Sequence, residues 1–167
     1  MKKSNRLALA VVVMLATTAA LAQSQFDAQK SFDQLKSLAG TWEGKNSRNE
    51  PLQVSFKVTA NGTAVMSEIS GHGEEMVTMF HLDGPNKLVL THYCPSGNQP
   101  RMQASASPDG KTITFNFVDA TGLDSLDAGH MHRVAITILD ANHHTEEWNY
   151  ADHGKEMKEL FDLKRKM

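Results

Sequence analysis

Apolar and polar residues alternate with a period of two along most of the chain from residue 41 onward. In the stretch LQVSFKVT at 52–59, every second residue is apolar and those between them are polar. This alternation is typical of a β-strand with one buried face and one solvated face. Similar patterns predict ten strands, which span residues 41–45, 52–59, 63–70, 75–82, 87–94, 101–107, 111–118, 130–139, 143–150 and 155–164.

Short turn sequences separate many of these strands. Asn61-Gly62 and Asp109-Gly110 favour tight hairpins, because the central positions of such turns tolerate a positive φ. Strands joined in this way form an antiparallel meander. Residues 119–129 are the one long connection, and we expect them to form a lid or a short helical turn at one end of the sheet.

A meander of ten strands exposes two long edges unless the first strand pairs with the last. The sequence therefore predicts an all-β fold, a closed antiparallel up-and-down barrel. A two-sheet sandwich is the alternative, although sandwiches usually need longer crossovers. Before the strands, Phe32, Leu35 and Leu38 have helical spacing and Gly40 is a natural stop, which predicts a short helix at about residues 27–38.

The first residues have the pattern of a secretory signal peptide. Lys2, Lys3 and Arg6 precede an apolar run at 7–15, and the sequence ALA ending at Ala22 matches a signal peptidase site. The apolar run is too short to be a convincing membrane span. We expect residues 1–22 to be removed, residues 23–167 to form a single domain, and the protein to be periplasmic or extracellular.

The charge and cysteine content narrow the functional classes. Three of the 17 basic residues lie in the expected signal peptide, so 14 remain against 19 acidic residues. A mildly acidic domain lacks the basic surface of a nucleic-acid-binding protein. Cys94 is the only cysteine, so the domain has no intramolecular disulfide and depends on its apolar core.

Several histidines fall on strand faces that we expect to point into the barrel. His92 and Cys94 alternate in phase with Leu88 and Leu90, and His130 and His132 alternate in phase with Val134, whereas the direction of His81 is open. A buried polar group without a partner costs about 1–3 kcal/mol. Inward histidines therefore indicate either a hydrogen-bonded core or a wet ligand cavity.

The sequence LAGTWEG at 38–44 places Gly40 and Trp42 on the first strand, directly after the helix. This arrangement resembles lipocalins and the wider calycin-type barrels. The resemblance implies that Trp42 closes the base of the barrel beneath a basic residue, here Lys164 or Arg165. Over residues 32–164 the chain also looks like secreted bacterial proteins of unknown function with a lipocalin-like barrel, and that likeness implies no catalytic residue.

Two cofactor readings follow from the histidines. The chain also resembles nitrobindin-like barrels, which begin with a Gly-x-Trp strand and hold haem through one His. That resemblance implies an axial role for His81, His92 or His132. Lys45 and Asn46 depart from the motif of those barrels. His130 and His132 instead form a His-x-His pair that can offer two imidazoles to a metal ion, with His92 as a third ligand. The fourth ligand in that reading is Glu146 or Glu147, and the Glu that follows such a pair in cupins is absent.

Cys94 and Arg101 are two further candidate functional residues. A thiolate at Cys94 near His92 has the pairing of a cysteine nucleophile, but no third orienting residue is evident. Arg101 resembles the buried arginines with which fatty-acid-binding barrels hold a carboxylate, provided that it points inward. Plain alternation points it outward, and the neighbouring Pro100 leaves the register open.

These observations favour a barrel that binds a small, mostly apolar molecule with a polar end. No catalytic residue is predicted and enzymatic activity stays undecided, as does the oligomeric state. One alternative is a haem or metal barrel with redox or hydrolytic activity, and another is a filled barrel that binds a protein partner. The candidate cavity residues are His81, His92, Cys94, Arg101, His130, His132 and Trp148.

Overall fold

The computed structural model describes residues 26–71 and 74–167. The predicted signal peptide and its cleavage site lie outside the described residues. One helix, α1 (Ala28–Ser37), precedes ten strands. The strands are β1 (Gly40–Lys45), β2 (Pro51–Thr59), β3 (Ala64–Gly71), β4 (Glu74–Leu82), β5 (Leu88–Tyr93), β6 (Gln99–Ala106), β7 (Thr112–Thr121), β8 (His130–Asp140), β9 (His143–Asp152) and β10 (Lys155–Arg165). A single 3-10 turn, Ala60–Gly62, joins β2 to β3.

Every strand pairs with its neighbours in sequence, and β1 also pairs with β10 to close a barrel. The closing ladder is antiparallel and places Trp42 opposite Arg165 and Gly44 opposite Leu163. The predicted closed antiparallel meander with a short N-terminal helix is therefore confirmed, and the sandwich alternative is wrong. Closure satisfies the two edges that an open sheet would expose.

Helix α1 covers one end of the barrel, which we call the base. Asp27 caps the helix by accepting a hydrogen bond from the Lys30 amide, and Phe32 and Leu35 are buried against the barrel core. Gln34 donates to the carbonyl of Gly110 in the β6–β7 turn, which fixes the helix to that end. Because hairpin loops alternate between the two ends, the β1–β2, β5–β6 and β7–β8 connections lie at the opposite end, the mouth.

Trp42 and Arg165 close the base together, as the resemblance to calycins implied. The Arg165 guanidinium lies 4.2 Å from the centre of the Trp42 ring, and the Trp42 indole donates to the Leu38 carbonyl at 2.7 Å. Arg165 also donates to the carbonyls of Ser37 and Ala39 at the end of α1. Of the two expected partners, Arg165 takes this role, while Lys164 lies on the outer face.

Three register shifts interrupt the regular alternation, two of them near the mouth and one, at Leu139 in β8, near the base. In the β6–β7 ladder Arg101 pairs with Asp119 and Met102 with Phe117, so Val118 is an extra residue. In the β8–β9 ladder His132 is likewise extra, between Met131 and Arg133. A bulge shifts the residues beyond it to the other face of the sheet. It therefore redirects side chains that simple counting would assign wrongly.

The long connection does not form the helical turn that was one of its two expected structures. Its first three residues, 119–121, continue strand β7, and residues 122–129 form turns rather than a helix. Hydrogen bonds within the turns and to the β9–β10 turn hold them, such as the one from the His153 amide to the Asp127 carbonyl. Within the described residues, no helix has both the length and the apolar character needed to cross a membrane.

Candidate ligand site at the barrel mouth

His92 lies at the centre of the barrel interior. It is fully buried, and its Nδ1 is 2.8 Å from the Thr78 hydroxyl on the neighbouring strand. Its Nε2 is buried and has no partner among the described residues. Burial lowers the pKa of His92 to about 4, because a charged ring would lose its hydration there. The ring is therefore neutral at physiological pH.

The ring of His92 meets Trp148 across the barrel, with 4.7 Å between ring centres. Below this contact, the Trp148 indole donates to Glu146 at 2.9 Å, and His144 Nε2 lies 3.2 Å from the other carboxylate oxygen. The His144 ring in turn lies 4.3 Å from that of Trp42. These buried side chains form a column from the Thr78–His92 pair to the base, so side chains fill the deep interior along this line.

An open cavity of about 170 Å³ lies at the mouth. Its apolar wall belongs to inward positions of β2, β3, β4 and β10, and its polar rim comes from the β1–β2 loop. The lining residues are Asn46, Arg48, Leu52, Ile69, Gly71, Met76 and Phe161. Met76 precedes Thr78 by two residues on the inward face of β4, which places the cavity on the mouth side of the Thr78–His92 pair.

The rim of the mouth cavity is already organised by ion pairs. Arg48 donates to Glu50 at 2.8 Å and to Glu159 at 3.0 Å, and the amide of Asn46 donates to Glu50 at 2.7 Å. The Arg48 charge is therefore shared by two carboxylates. A rim of this kind offers polar contacts without a surplus of positive charge, which suits an uncharged ligand better than an anion.

His130 is buried at the start of β8, also at the mouth end. Its Nδ1 lies 2.7 Å from the Ala128 carbonyl, and its Nε2 is buried without a partner in the described part of the chain. The rings of Phe117 and His132 lie 4.5 and 5.7 Å from its own, measured between centres. His130 is buried, with an exposure of 2%, and it pairs with Ala151 beyond the bulge in β8, so its inward direction stays a prediction.

Three expected cavity residues are exposed instead. His132 is the extra residue of the bulge in β8 and is exposed, with its ring beside those of Phe117 and His130. His81 is exposed on the outer face of β4, since Phe80 beside it is buried. Arg101 is exposed and its guanidinium makes two hydrogen bonds to Asp119, so it does not reach the interior. His132 was expected to be inward and is exposed, whereas Arg101 takes the outward direction that plain alternation gives it.

His81, Arg101, Val118 and Asp119 line a groove of about 480 Å³ on the outside of the barrel. The floor of this groove reaches Leu90 and Met102, because β5 and β6 pair over only three residue pairs. It is larger than the mouth cavity, yet it lies on the outer wall, away from the interior histidines. In the protein-interaction alternative, this groove is a surface that a protein partner would contact.

Cys94 and Trp148 complete the predicted set. Cys94 is a half-buried free thiol just beyond the end of β5, and its carbonyl accepts a hydrogen bond from the Gly97 amide in the following turn. The Nδ1 of His92 is bonded to Thr78 rather than to the thiol. Trp148 is buried and faces the interior, in the column described above. The ligand-binding role of these residues stays a prediction.

The predicted ligands of a four-residue metal site are not assembled. Across residues 26–71 and 74–167, no three His, Cys, Asp or Glu side chains form a group able to hold an ion. His92 is bonded to Thr78, Glu146 is bonded to Trp148 and His144, and Glu147 is paired with Arg133. His130 and His132 alone stay close to each other.

Sequence reasoning named His92, Trp148 and Glu146 but missed the rim and two members of the column, Thr78 and His144. Nothing in the local pattern singled out Asn46, Arg48 or Thr78, because a loop residue and a lone inward threonine carry no motif. Glu146 shares an inward face with Trp148 in the alternation, which is the signal that could have found the column. The four apolar wall residues of the cavity were identified only as ordinary strand positions.

Comparison with known proteins gives a fold neighbour and no family. The crystal structure of Rv2717c from M. tuberculosis matches this chain with a TM-score of 0.58 at 16% sequence identity. The match covers 82% of this chain and 98% of that one. Neither a protein-family model nor a curated protein sequence matches the chain. The comparison supports the barrel fold, and the lipocalin or calycin assignment stays a prediction.

Proposed function

We propose that this protein is an exported barrel that binds a small, mostly apolar molecule in the mouth cavity. One observation carries the proposal: inward apolar side chains that would normally pack against each other line an open space of about 170 Å³. Burying apolar ligand surface there would contribute about 25 cal/mol per Å². The polar end of the ligand would meet Asn46 and Arg48 at the rim.

The size of the cavity limits the ligand. Pockets for drug-sized molecules are roughly 300–1,000 Å³, and the mouth cavity is smaller than this range. The column of His92, Trp148 and Glu146 blocks deeper entry. The expected ligand is therefore a compact molecule or the end of a chain, rather than a large lipid enclosed along the barrel axis.

Haem fits this interior poorly. Of the three histidines considered for an axial role, His92 alone is buried, since His81 and His132 are exposed. Its unpartnered Nε2 and its Nδ1 contact with Thr78 resemble an axial ligand. However, the Trp148 ring already lies against the imidazole, and the cavity nearby is too small for a macrocycle. We therefore derive no function from haem.

A titration with 1-hexanol, followed by NMR, tests the proposal. The chain without residues 1–22 is used, and we expect chemical-shift changes centred on Leu52, Ile69 and Phe161. Met76→Trp should fill the cavity and abolish them. Met79→Trp is the matched control, because it adds the same ring on the outer face of the same strand, opposite Met66. Hexanoate should bind more weakly than hexanol, since Arg48 is already shared by two carboxylates.

The outcomes separate the candidate functions. Hexanol shifts that survive Met76→Trp, or that never appear at the mouth, would overturn the proposal. Shifts confined to the outer groove around Val118 would instead favour the protein-interaction alternative. Native mass spectrometry of protein isolated from its own host then identifies the molecule that is bound, and a haem mass there would contradict the fit described above.

A further inference from the structure

We propose that His130 and His132 form a binding site for a late first-row transition-metal ion. Among these ions, copper(II) is expected to bind most tightly. The site is separate from the mouth cavity and does not depend on the proposed function. It replaces the four-ligand site suggested by the sequence with a two-imidazole site. Water is expected to fill the remaining coordination positions of the ion.

The hydrogen bonding of His130 prepares it for this role. A backbone carbonyl only accepts, so the 2.7 Å contact with Ala128 requires that Nδ1 of His130 carries the proton. In the neutral ring, Nε2 then presents a lone pair. Histidines that bind metals commonly have this arrangement, with the other ring nitrogen donating to a carbonyl.

The Nε2 of His130 lacks a protein partner. It is buried, and the described residues supply no hydrogen bond to it. Asn98, whose side-chain amide donates to the Gly129 carbonyl at 2.8 Å, has a buried Oδ1 in the same condition. Buried polar atoms are usually satisfied, and an unsatisfied one calls for an explanation such as an ion or a water molecule. His130 and Asn98, which contacts the residue before it, therefore each have one buried acceptor without a partner among the described residues.

The distance between the two imidazoles suits one shared ion. An imidazole nitrogen lies about 2.0–2.1 Å from a bound metal, so each ring centre lies about 3 Å from it. Two such rings can be separated by at most about 6 Å between centres. The observed separation of His130 and His132 is 5.7 Å, with the planes inclined at 67°.

The bulge in β8 makes the site accessible. On a regular strand His132 would lie on the same inward face as His130, but as the extra residue of the bulge it is exposed. One ligand is thus held in the protein wall by its contact with Ala128, and the other, stacked on Phe117, is exposed to an ion arriving from solvent. Affinity of nitrogen sites rises along the first-row series to copper(II), which is why that ion is the chosen probe.

The test is calorimetric titration of copper(II) chloride into the untagged chain without residues 1–22. We expect one ion per chain, with electron paramagnetic resonance showing coupling to two imidazole nitrogens. His132→Asn should weaken binding by about tenfold or more with little effect on folding, since the residue is exposed. His130→Gln should also weaken it, and its unfolding midpoint is measured in parallel because this residue is buried.

His81→Asn is the matched control, as it removes an exposed histidine from the outer wall, and His153→Asn removes one from the β9–β10 turn. Both should keep the affinity of the wild-type protein. Unchanged binding in His132→Asn would overturn the site. The proposal would also be overturned if a control variant lost as much copper affinity as His132→Asn. The same holds if the protein does not bind one ion per chain, or if the spectrum shows coupling to a single nitrogen. Titration of 1-hexanol into the copper-loaded protein distinguishes failure here from failure of the mouth cavity.

Discussion

At the scale of single residues, His92 couples the stability of the protein to pH. Its folded pKa is about 4 because burial disfavours the charged ring, against an ordinary value of 6.5. Between these values the unfolded chain takes up a proton that the folded chain does not. The stabilising contribution is therefore complete above about pH 6.5 and is lost as the pH falls toward about 4.

We expect that this linkage costs about 3 kcal/mol of unfolding free energy between pH 7 and pH 4. Urea unfolding at a series of pH values, monitored by circular dichroism, measures it. His92→Gln keeps a polar side chain beside Thr78 but does not titrate, so its stability should fall less over the same range. Parallel profiles for the two proteins would contradict the assignment to His92.

Residue-level prediction from the sequence succeeded where alternation is unbroken and failed at the bulges. His92 and Trp42 follow regular strands, and both are buried as expected. His132 was expected to be buried on the inward face, but it is exposed as the extra residue of a bulge in β8. The sequence left open whether Arg101 points inward or outward. In the structure it pairs with Asp119 on the outer face, because the bulge in β7 places Asp119 opposite it. No local residue pattern marks either bulge.

At the scale of elements, Arg165 joins β10 to helix α1 and to the β8–β9 turn. Its guanidinium donates to the carbonyls of Ser37, Ala39 and Ala141 while it covers the Trp42 ring. A lysine keeps the charge but cannot make this set of contacts with one planar group. The positive charge also lies at the C-terminal end of the helix, where it is favourable.

Arg165→Lys should therefore lower the free energy of unfolding by about 2 kcal/mol. Chemical denaturation measures the change, and Lys164→Ala serves as the control, since its exposed side chain lies on the outer face and should change stability by less than about 0.5 kcal/mol. If the two variants are equally stable, the stability of the base does not depend on the hydrogen bonds of the Arg165 guanidinium.

Closure of the barrel depends on Gly44. A Cβ at this position would lie 1.8 Å from the Asp162 carbonyl oxygen and 3.1 Å from the Leu163 Cα, and both contacts are with backbone atoms. The strands β1 and β10 would have to separate, so Gly44→Ala should destabilise the protein by about 3 kcal/mol. Lys45→Ala, on the same strand and exposed, is the control. Hydrogen exchange should accelerate first in the β1–β10 ladder, and uniform exchange would contradict this.

Element prediction was accurate because most strands show alternation and many are bounded by a turn signal. The ten strands and the helix lie where the pattern placed them, within a few residues at their ends. The largest difference is β7, which continues to Thr121 through the bulge instead of ending at 118. The pattern there changes from alternation to DAT, and pairing of Pro100 with Ala120 extends the strand despite that change.

At the scale of the whole molecule, the barrel is partly filled rather than hollow. Closure followed from the strand count, but the volume inside depends on which large side chains meet across the axis. His92 meets Trp148 and Phe80 meets Phe115, which are contacts between distant strands. Alternation predicts which face of the sheet a side chain occupies, but not how far it extends across the barrel interior. The sequence predicted a cavity around the inward histidines, whereas the cavity lined by Leu52, Ile69 and Phe161 lies on the mouth side of His92.

Export is a property of the whole chain, and cell fractionation with mass analysis tests it. We propose that cleavage after Ala22 releases a protein that begins at Gln23, since the small residues at Ala20 and Ala22 fit a signal peptidase site. Expression of the full chain in a bacterium, followed by periplasmic extraction and intact mass analysis, should recover the form without residues 1–22. Ala20→Arg should leave the precursor uncut in the membrane fraction, whereas Gln25→Arg, beyond the site, should not. Recovery of the uncut wild-type chain from the cytosol would contradict export and would place both proposed binding sites in a different compartment.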